Sequence, residues 1–215
     1  MTPFDVVCDL RNLLDDTVKE YLWSDYELEG YLAQAYKEFA RVTQLLVDMS
    51  TANVAVYAVS ASSASIALSP LVVDIRRAFD ADNNHEFARN NSNKMPMVNI
   101  KEGEVRSIIA DREKGKLHFN PIPAADFNLT LQIARFPLEE FSQAMANPLE
   151  YTDDRAWNIT ILYAASRAYL KDDVETVDRV RAQEFMAQFR QEADDYRLET
   201  NAQRREPGTV QYGGY

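Results

Sequence analysis

The sequence predicts an α+β fold in which N- and C-terminal helices form a helical bundle, a mostly antiparallel β subdomain is inserted between them, and an extended arm follows. Three observations predict it. Apolar residues recur at steps of three and four from Leu28 to Met49, at steps of two from Leu129 to Ile133, and again at steps of three and four from Ala182 to Tyr196. A helical period that gives way to a strand period and then returns places a sheet between two sets of helices. The expected division is a helical block at 1–50, a β-rich inserted subdomain at 51–150, a helical block at 151–200 packing on the first, and an extended or disordered arm at 201–215.

The first block opens with Thr2 at an N-cap position and Pro3 at the first helical position, so a helix over about 3–15 is expected to bury Val6, Leu10 and Leu13. Ser24 and Glu27 have capping-box spacing. Behind them Leu28, Leu32, Ala35, Phe39, Val42, Leu46 and Met49 define a narrow apolar seam on a helix of about 25 residues. Three heptads are too few for a free coiled coil, so the seam reads as a helix packed on its own domain.

The middle block changes period. Val54, Val56 and Ala58 alternate with Ala55, Tyr57 and Val59, and the segment LVVDIRRAF sets Val73, Ile75 and Phe79 on one side. Residues 80–84 read as a turn, and residues 83–93, with five Asn, as a surface loop. A strand near 105–111 and the turn residues 112–115 lead into KLHFNP (116–121) and NLTLQIARFP (128–137). These two flank a proline-bearing connection and read as a β-hairpin, with Leu129, Leu131 and Ile133 on its apolar face. About five or six strands are expected.

The third block starts at Thr152 as N-cap, with Asp153 and Asp154 where carboxylates suit the helix dipole. The helix it opens, over about 153–171, carries Trp157, Ile159, Ile161, Leu162, Tyr163 and Leu170 around most of its circumference, which marks a central helix. Ala164, Ala165, Ser166 and Ala168 permit close helix approach. Asp172 and Asp173 are expected to cap a last helix with a seam through Ala182, Phe185, Phe189, Ala193 and Tyr196, ending near residue 200.

Composition narrows the chemistry. The chain has 215 residues, 34 acidic and 23 basic, for a net charge of −11. Nucleic-acid grip usually needs a basic face, which this balance disfavours. No apolar run is long enough to span a bilayer, and the acidic N-terminus lacks the basic start of a secretory signal, so no membrane role is expected. The single cysteine, Cys8, excludes an internal disulfide and a Cys-rich zinc site and fits a reducing cytoplasm. His85 and His118 have no His or Cys partner at ligand spacing. Residues 80–91 begin like a calcium loop, but His85 and Asn91 stand where Gly and Glu are required. Phosphate-loop, dinucleotide, nucleophile-elbow and zinc-protease motifs are absent from the sequence. The expectation is a structural protein without catalytic residues, metal or cofactor.

Two segments, WSDYELEGYLAQAYKEFARVTQLLVD (23–48) and RAWNITILYAASRAYLKDDVETVDRVRAQEFMAQF (155–189), resemble head-to-tail adaptor proteins of tailed bacteriophages. Asp25, Leu28, Leu32 and Ala35 match the family's D-x-x-L-x-x-x-L-x-x-A pattern. Ala164, Ala168, Tyr169, Lys171, Asp173, Glu175 and Thr176 match A-x-x-x-A-Y-x-K-x-D-x-[DE]-T, and Arg135 to Leu138 match an RFPL-like segment before it. The resemblance implies a helical bundle with an inserted β domain and no catalysis. It also implies a ring of twelve copies of the chain beneath the portal protein, joined below to a tail tube or nozzle protein. Genome DNA would pass along the axis unbound. The implied location is the virion neck, reached from the host cytoplasm during assembly. Another neck component, a stopper or tail-completion ring, and a virion-associated peptidoglycan hydrolase using an Asp/Glu pair stay open as alternatives.

The arm carries the candidate partner-binding residues. Arg204 and Arg205 can form bidentate bonds to carboxylates, and Val210, Tyr212 and Tyr215 among glycines suit an interface better than a solvated tail. The expectation is an arm that orders on a partner.

Overall fold

A computed structural model describes residues 2–83, 85–91, 101–145, 149–151, 153–171 and 176–204. Among them are four helices and eleven strands. The chain forms two compact units: Met1–Leu45 with Glu139–Tyr215, and Leu46–Leu138. The first is helical and discontinuous in sequence, and the second is all β.

In the helical unit, α1 (Pro3–Leu13) starts at a Thr2 cap reciprocated by Asp5. It buries Val6, Val7, Leu10 and, just past its end, Leu14. Leu13, expected inside, is half-buried, because a stripe of period 3.6 that begins at Val6 and Val7 reaches Leu14. Helix α2 (Asp25–Thr43) starts at the Ser24–Glu27 capping box. It is 19 residues long rather than about 25, because Gln44 turns left-handed (φ 51°) and the chain becomes extended at Val47. Its buried stripe is Leu28, Leu32, Ala35, Tyr36, Phe39, Ala40 and Thr43. Val42 is half-buried, Leu46 is buried but lies beyond the helix, and Met49 is 43% exposed.

Helix α3 (Asp154–Ala168) is capped by Asp153, whose carboxylate accepts from the Arg155 N–H at 2.9 Å. The expected cap, Thr152, lies outside the described residues. Ten of its fifteen residues are buried, including Trp157, Ile159, Ile161 and Leu162, as a central helix requires. It ends at Ala168 rather than 171, which leaves Leu170 45% exposed. Helix α4 spans Arg179–Arg204. Asp172 and Asp173 lie outside the described residues; the carboxylate at its start is Asp178, which accepts from the Val180 and Arg181 N–H groups at 3.0 Å. Ala182, Phe189, Ala193 and Tyr196 are buried on it and Phe185 is half-buried. Ser166 donates to the Ala182 carbonyl at 2.8 Å, a bond made possible by small residues where α3 and α4 meet.

Aromatic rings join the two sequence segments of this unit. Tyr36 of α2 stacks on Trp157 of α3 at 5.2 Å between centroids, and Tyr151 meets Tyr36 edge-on at 4.7 Å. Phe39 packs against Tyr151 and, at 5.7 Å, against Tyr196 of α4. Each buried polar atom here is used: Trp157 Nε1 donates to the Tyr151 carbonyl and the Tyr151 hydroxyl to the Tyr36 carbonyl.

The inserted unit contains β1 (Val47–Asp48), β2 (Val56–Val59), β3 (Ser65–Ala67), β4 (Val72–Asp80), β5 (His85–Glu86), β6 (Ala88–Asn90), β7 (Glu102–Gly103), β8 (Ser107–Ile109), β9 (Lys116–Asn120), β10 (Ile122–Pro123) and β11 (Phe127–Arg135). The count exceeds the expected five or six because many of these strands have only two or three residues, too few to show a period. One sheet runs β1-β11-β4-β5, with β2 also on β11; a second runs β3-β9-β8-β6; β7 and β10 form a pair of their own. Pairing is antiparallel except in β6/β8 and β7/β10. The two larger sheets share one core, to which Ile75, Ala78, Leu129, Leu131 and Ile133 contribute from the first and Ile108, Leu117 and Phe119 from the second.

Two expectations fail here. The segments 116–121 and 128–137 do not pair: β9 lies between β3 and β8, and β11 between β4 and the β1/β2 edge. The Pro121–Asp126 connection carries the chain from one sheet to the other. Alternation tells which face is buried, not which strand is the neighbour. The true hairpin is β8/β9, turned through Gly115 at φ +75°. On β4, Ile75 is buried but Phe79 is not. The register against β11 skips Arg76, a bulge that flips the phase and sends Ala78 into the core in place of Phe79.

The ends of the insert are held together within the unit. Val47 pairs with Ala134 and Asp48 with Ile133, and Arg135 Nε donates to Asp48 Oδ2 at 2.7 Å. Burial pushes the Asp48 carboxyl up, but bonds from Thr51, Ser50 and the Arg135 guanidinium together hold it well below the usual carboxylate range.

Phe39→Ala is expected to lower stability by roughly 3–5 kcal/mol in denaturant unfolding, since its ring is fully buried. Asp48→Ala should cost a similar roughly 3–5 kcal/mol by stranding Arg135. An unchanged midpoint in either variant contradicts the corresponding assignment.

Candidate partner-binding surfaces

The chain's resources for binding partners begin at a buried arginine. Arg11, on α1, is 8% exposed. Its guanidinium donates to Asp16 Oδ2 at 2.6 Å, to Asp25 Oδ1 at 2.5 Å and to the Trp23 carbonyl at 3.2 Å. It also lies over the Tyr21 ring at 3.8 Å. Asp16, 3% exposed, in turn accepts from the Leu22 N–H at 2.9 Å and the Trp23 N–H at 3.4 Å. A planar fork with five donors satisfies three acceptors at once, so one residue fixes the 14–25 connection between α1 and α2.

That connection is fastened to the start of α4 through the end of α3. Trp23, 1% exposed, donates from Nε1 to the Ala168 carbonyl at 3.1 Å and meets Tyr169 edge-on. Tyr169 stacks on Phe185 and accepts from Arg181 at 3.0 Å, while its carbonyl accepts from the Asp178 N–H. Lys171 pairs with Glu27 at 2.9 Å. The Lys171 ammonium, with the Ser24 N–H and hydroxyl, holds the Glu27 carboxyl down to about 2.

The residues that carried the resemblance are therefore mostly builders of this end of the unit. Leu28, Leu32, Ala35, Ala164 and Ala168 are fully buried, Asp25 is bound by Arg11, and Lys171 by Glu27. Thr176 is buried, while Asp173 and Glu175 lie outside the described residues. The 14–25 connection and the adjoining parts of α2, α3 and α4 expose apolar side chains: Val18 (76%), Leu22, Tyr26 (86%), Leu170, Val177 and Val180. Such side chains, set on a backbone held by buried polar bonds, are candidates for protein contact. Sequence reading missed both Arg11 and this surface. The available signal was an arginine flanked by Val7, Leu10 and Leu14 with acids at 16 and 25.

Of the arm residues, Arg204 is the last residue of α4, four residues beyond the expected helix end. Arg205, Val210, Tyr212 and Tyr215 lie outside the described residues. Among the described residues, no group of three or more His, Cys, Asp or Glu is placed to hold a metal ion, and no helix is long and apolar enough to cross a membrane.

Arg11→Ala should free the 14–25 connection and expose Trp23, read as a red shift of tryptophan emission with a loss of roughly 3–5 kcal/mol. Arg11→Lys keeps the charge but not the fork and should lose part of this. Glu27 has a depressed folded value, so its contribution is full above its ordinary 4.5 and fades as pH falls toward about 2. Glu27→Gln should lower stability at pH 7 and flatten acid unfolding in that window. A parallel titration of the two proteins contradicts this.

The family model described as SU10 adaptor protein matches residues 1–211, both helical segments and the β insert together. No curated protein matches the chain. A match over nearly the whole length leads to a single conclusion: the chain belongs to the SU10 adaptor protein family, a family of structural phage head-to-tail adaptors.

Proposed function

We propose that this chain is the repeating subunit of a ring in the virion neck, twelve copies beneath the portal, joining the capsid to a tail tube or nozzle protein. The family match over residues 1–211 carries the reading, because it attaches the adaptor role to the whole chain. The helical unit supplies a docking end with exposed Val18, Tyr26 and Val180. The charge of −11 suits a channel through which DNA passes, since negative walls repel phosphates and do not hold them.

The arm beyond α4 is the portal-binding element in this reading. Arg204 and Arg205 pair with carboxylates, and Val210, Tyr212 and Tyr215 fill a groove on the portal or on an adjacent subunit. At micromolar concentration and low salt the free protein is a monomer, because like charge opposes assembly without a template.

Truncation after Arg204 tests this. The shortened chain should keep its melting temperature and lose co-sedimentation with purified portal rings, and Tyr212→Ala with Tyr215→Ala should reproduce most of that loss. Undiminished portal binding by the truncated chain removes the arm from the reading. Failure of the full chain to bind portal rings removes the reading itself.

A further inference from the structure

The two units share the charge unequally. Leu46–Leu138 holds ten Asp and Glu against ten Lys and Arg, so the helical unit, at 24 against 13, carries the whole net charge of −11. Within the neutral insert, no charged residue or histidine occurs from Met49 to Val73, the longest charge-free run in the chain. Burial does not explain that run. Ala52, Asn53, Ala58, Ser60, Ala61, Ser62, Ala64, Ala67 and Pro70 are exposed.

The run includes two sheet margins. Strand β3 is the outer strand of β3-β9-β8-β6 and pairs only with β9 among the described residues. The Phe119 N–H bonds to the Ala64 carbonyl and the Leu68 N–H to the Gly115 carbonyl, which sets the even-numbered residues toward β9. The N–H and C=O groups of Ser65 and Ala67 therefore point outward. On β2 the same alternation turns Ala58 outward. The β2–β3 turn has its own partners, with the Ala61 N–H on Asp126 and the Ser62 hydroxyl on Glu102, and on β9 the cross-strand partner of Ala67, Lys116, is paired with Glu113 at 2.9 Å.

Open sheet edges are normally guarded by lysine, inward charge, bulges or proline. This one, in a strongly charged protein, has uncharged side chains and, among the described residues, outward backbone groups without a partner. We propose that the outer edge of β3 is a contact surface for a second copy of this chain. Charge selects that occupant. Two copies at −11 repel through their helical units, and their closest approach at least cost is through the neutral insert and its charge-free margin. Backbone pairing at Ser65 and Ala67 sets the register, and the surrounding Ser and Ala surface allows close packing. The proposal rests on the ring reading above and gives it a contact between subunits.

The test uses the full chain without portal, in sedimentation velocity over a concentration series, at low salt and at about 0.5 M NaCl, where charges are screened beyond about 4 Å. The wild type should be monomeric at low salt and self-associate at high salt. Ser65→Lys with Ala67→Lys should weaken association at least tenfold, while Ala81→Lys with Ala88→Lys, equal in charge, with Ala88 on the strand at the far side of the same sheet, should not. Ala67→Pro, which removes one outward N–H and adds no charge, should weaken it as well; melting curves identify any variant that fails to fold. A wild type that stays monomeric at high salt, or edge variants that associate like the control pair, overturn the proposal. Portal co-sedimentation is measured separately, so its failure counts against the adaptor reading and leaves the edge result standing.

Discussion

The Asp48–Arg135 pair stands where the chain enters and leaves the β unit, and the helical unit can close only because that excursion begins and ends at one place. Holding together the ends of an unstructured segment of this length would cost about 4 kcal/mol in closure entropy. Here the folded insert absorbs that cost: β1 and the end of β11 are antiparallel neighbours, and a buried ion pair with hydrogen-bonded oxygens fixes them. The segments 1–45 and 139–204 then meet as though joined by a short link. Tyr36, Trp157 and Tyr151 use this, stacking residues from both sides of the insertion at centroid distances of 4.7 to 5.3 Å. Ring pairs of this kind add about 0.5–1.5 kcal/mol each beyond the area they bury.

A second buried arginine organises the connection between α1 and α2 in the helical unit. Burying charge is costly, and a hydrophobic substitute is often as stable. What Arg11 contributes is position. It specifies one conformation for a connection that has no helix or strand of its own, and Trp23 carries that conformation to the last carbonyl of α3. The patterns shared with adaptor proteins fall largely on this apparatus. They register a way of building the end of the unit, and the exposed apolar side chains that the end presents are a consequence of it.

Local signals were legible in the sequence and non-local ones were not. The caps at Thr2 and Ser24 read correctly because every group they use lies within three residues. The burial of α3 followed from apolar residues spread around its circumference. The end of α2 misread because Leu46 keeps helical spacing while belonging to a strand, and only the backbone at Gln44 separates the two. Phe79 misread because one extra residue, Arg76, shifts the phase of β4 against a partner more than fifty residues away. The β9–β11 hairpin misread because two apolar strands joined by a proline link pair equally well in principle within one sheet or face each other across two. For Arg11 the sequence offered only apolar neighbours at 7, 10 and 14 and acids further on, since its three acceptors become neighbours only after α1 and α2 have formed.

The division of charge gives the two units different physical tasks. A ring brings many copies close together, and for copies at −11 the repulsion grows with each one added. Spreading the acids evenly would oppose assembly at every surface. Confining the excess to the helical unit leaves the insert neutral, so that in the proposed ring it would approach a neighbour at little electrostatic cost while the acidic unit would hold free chains apart at low salt. Assembly then depends on a partner or on ionic strength to offset the helical unit's repulsion, and β3 supplies direction but little strength, because three residues can form few ladder bonds. A short open edge in a neutral unit, tethered to a strongly charged one, favours contact that forms late and on a template over aggregation of free chains.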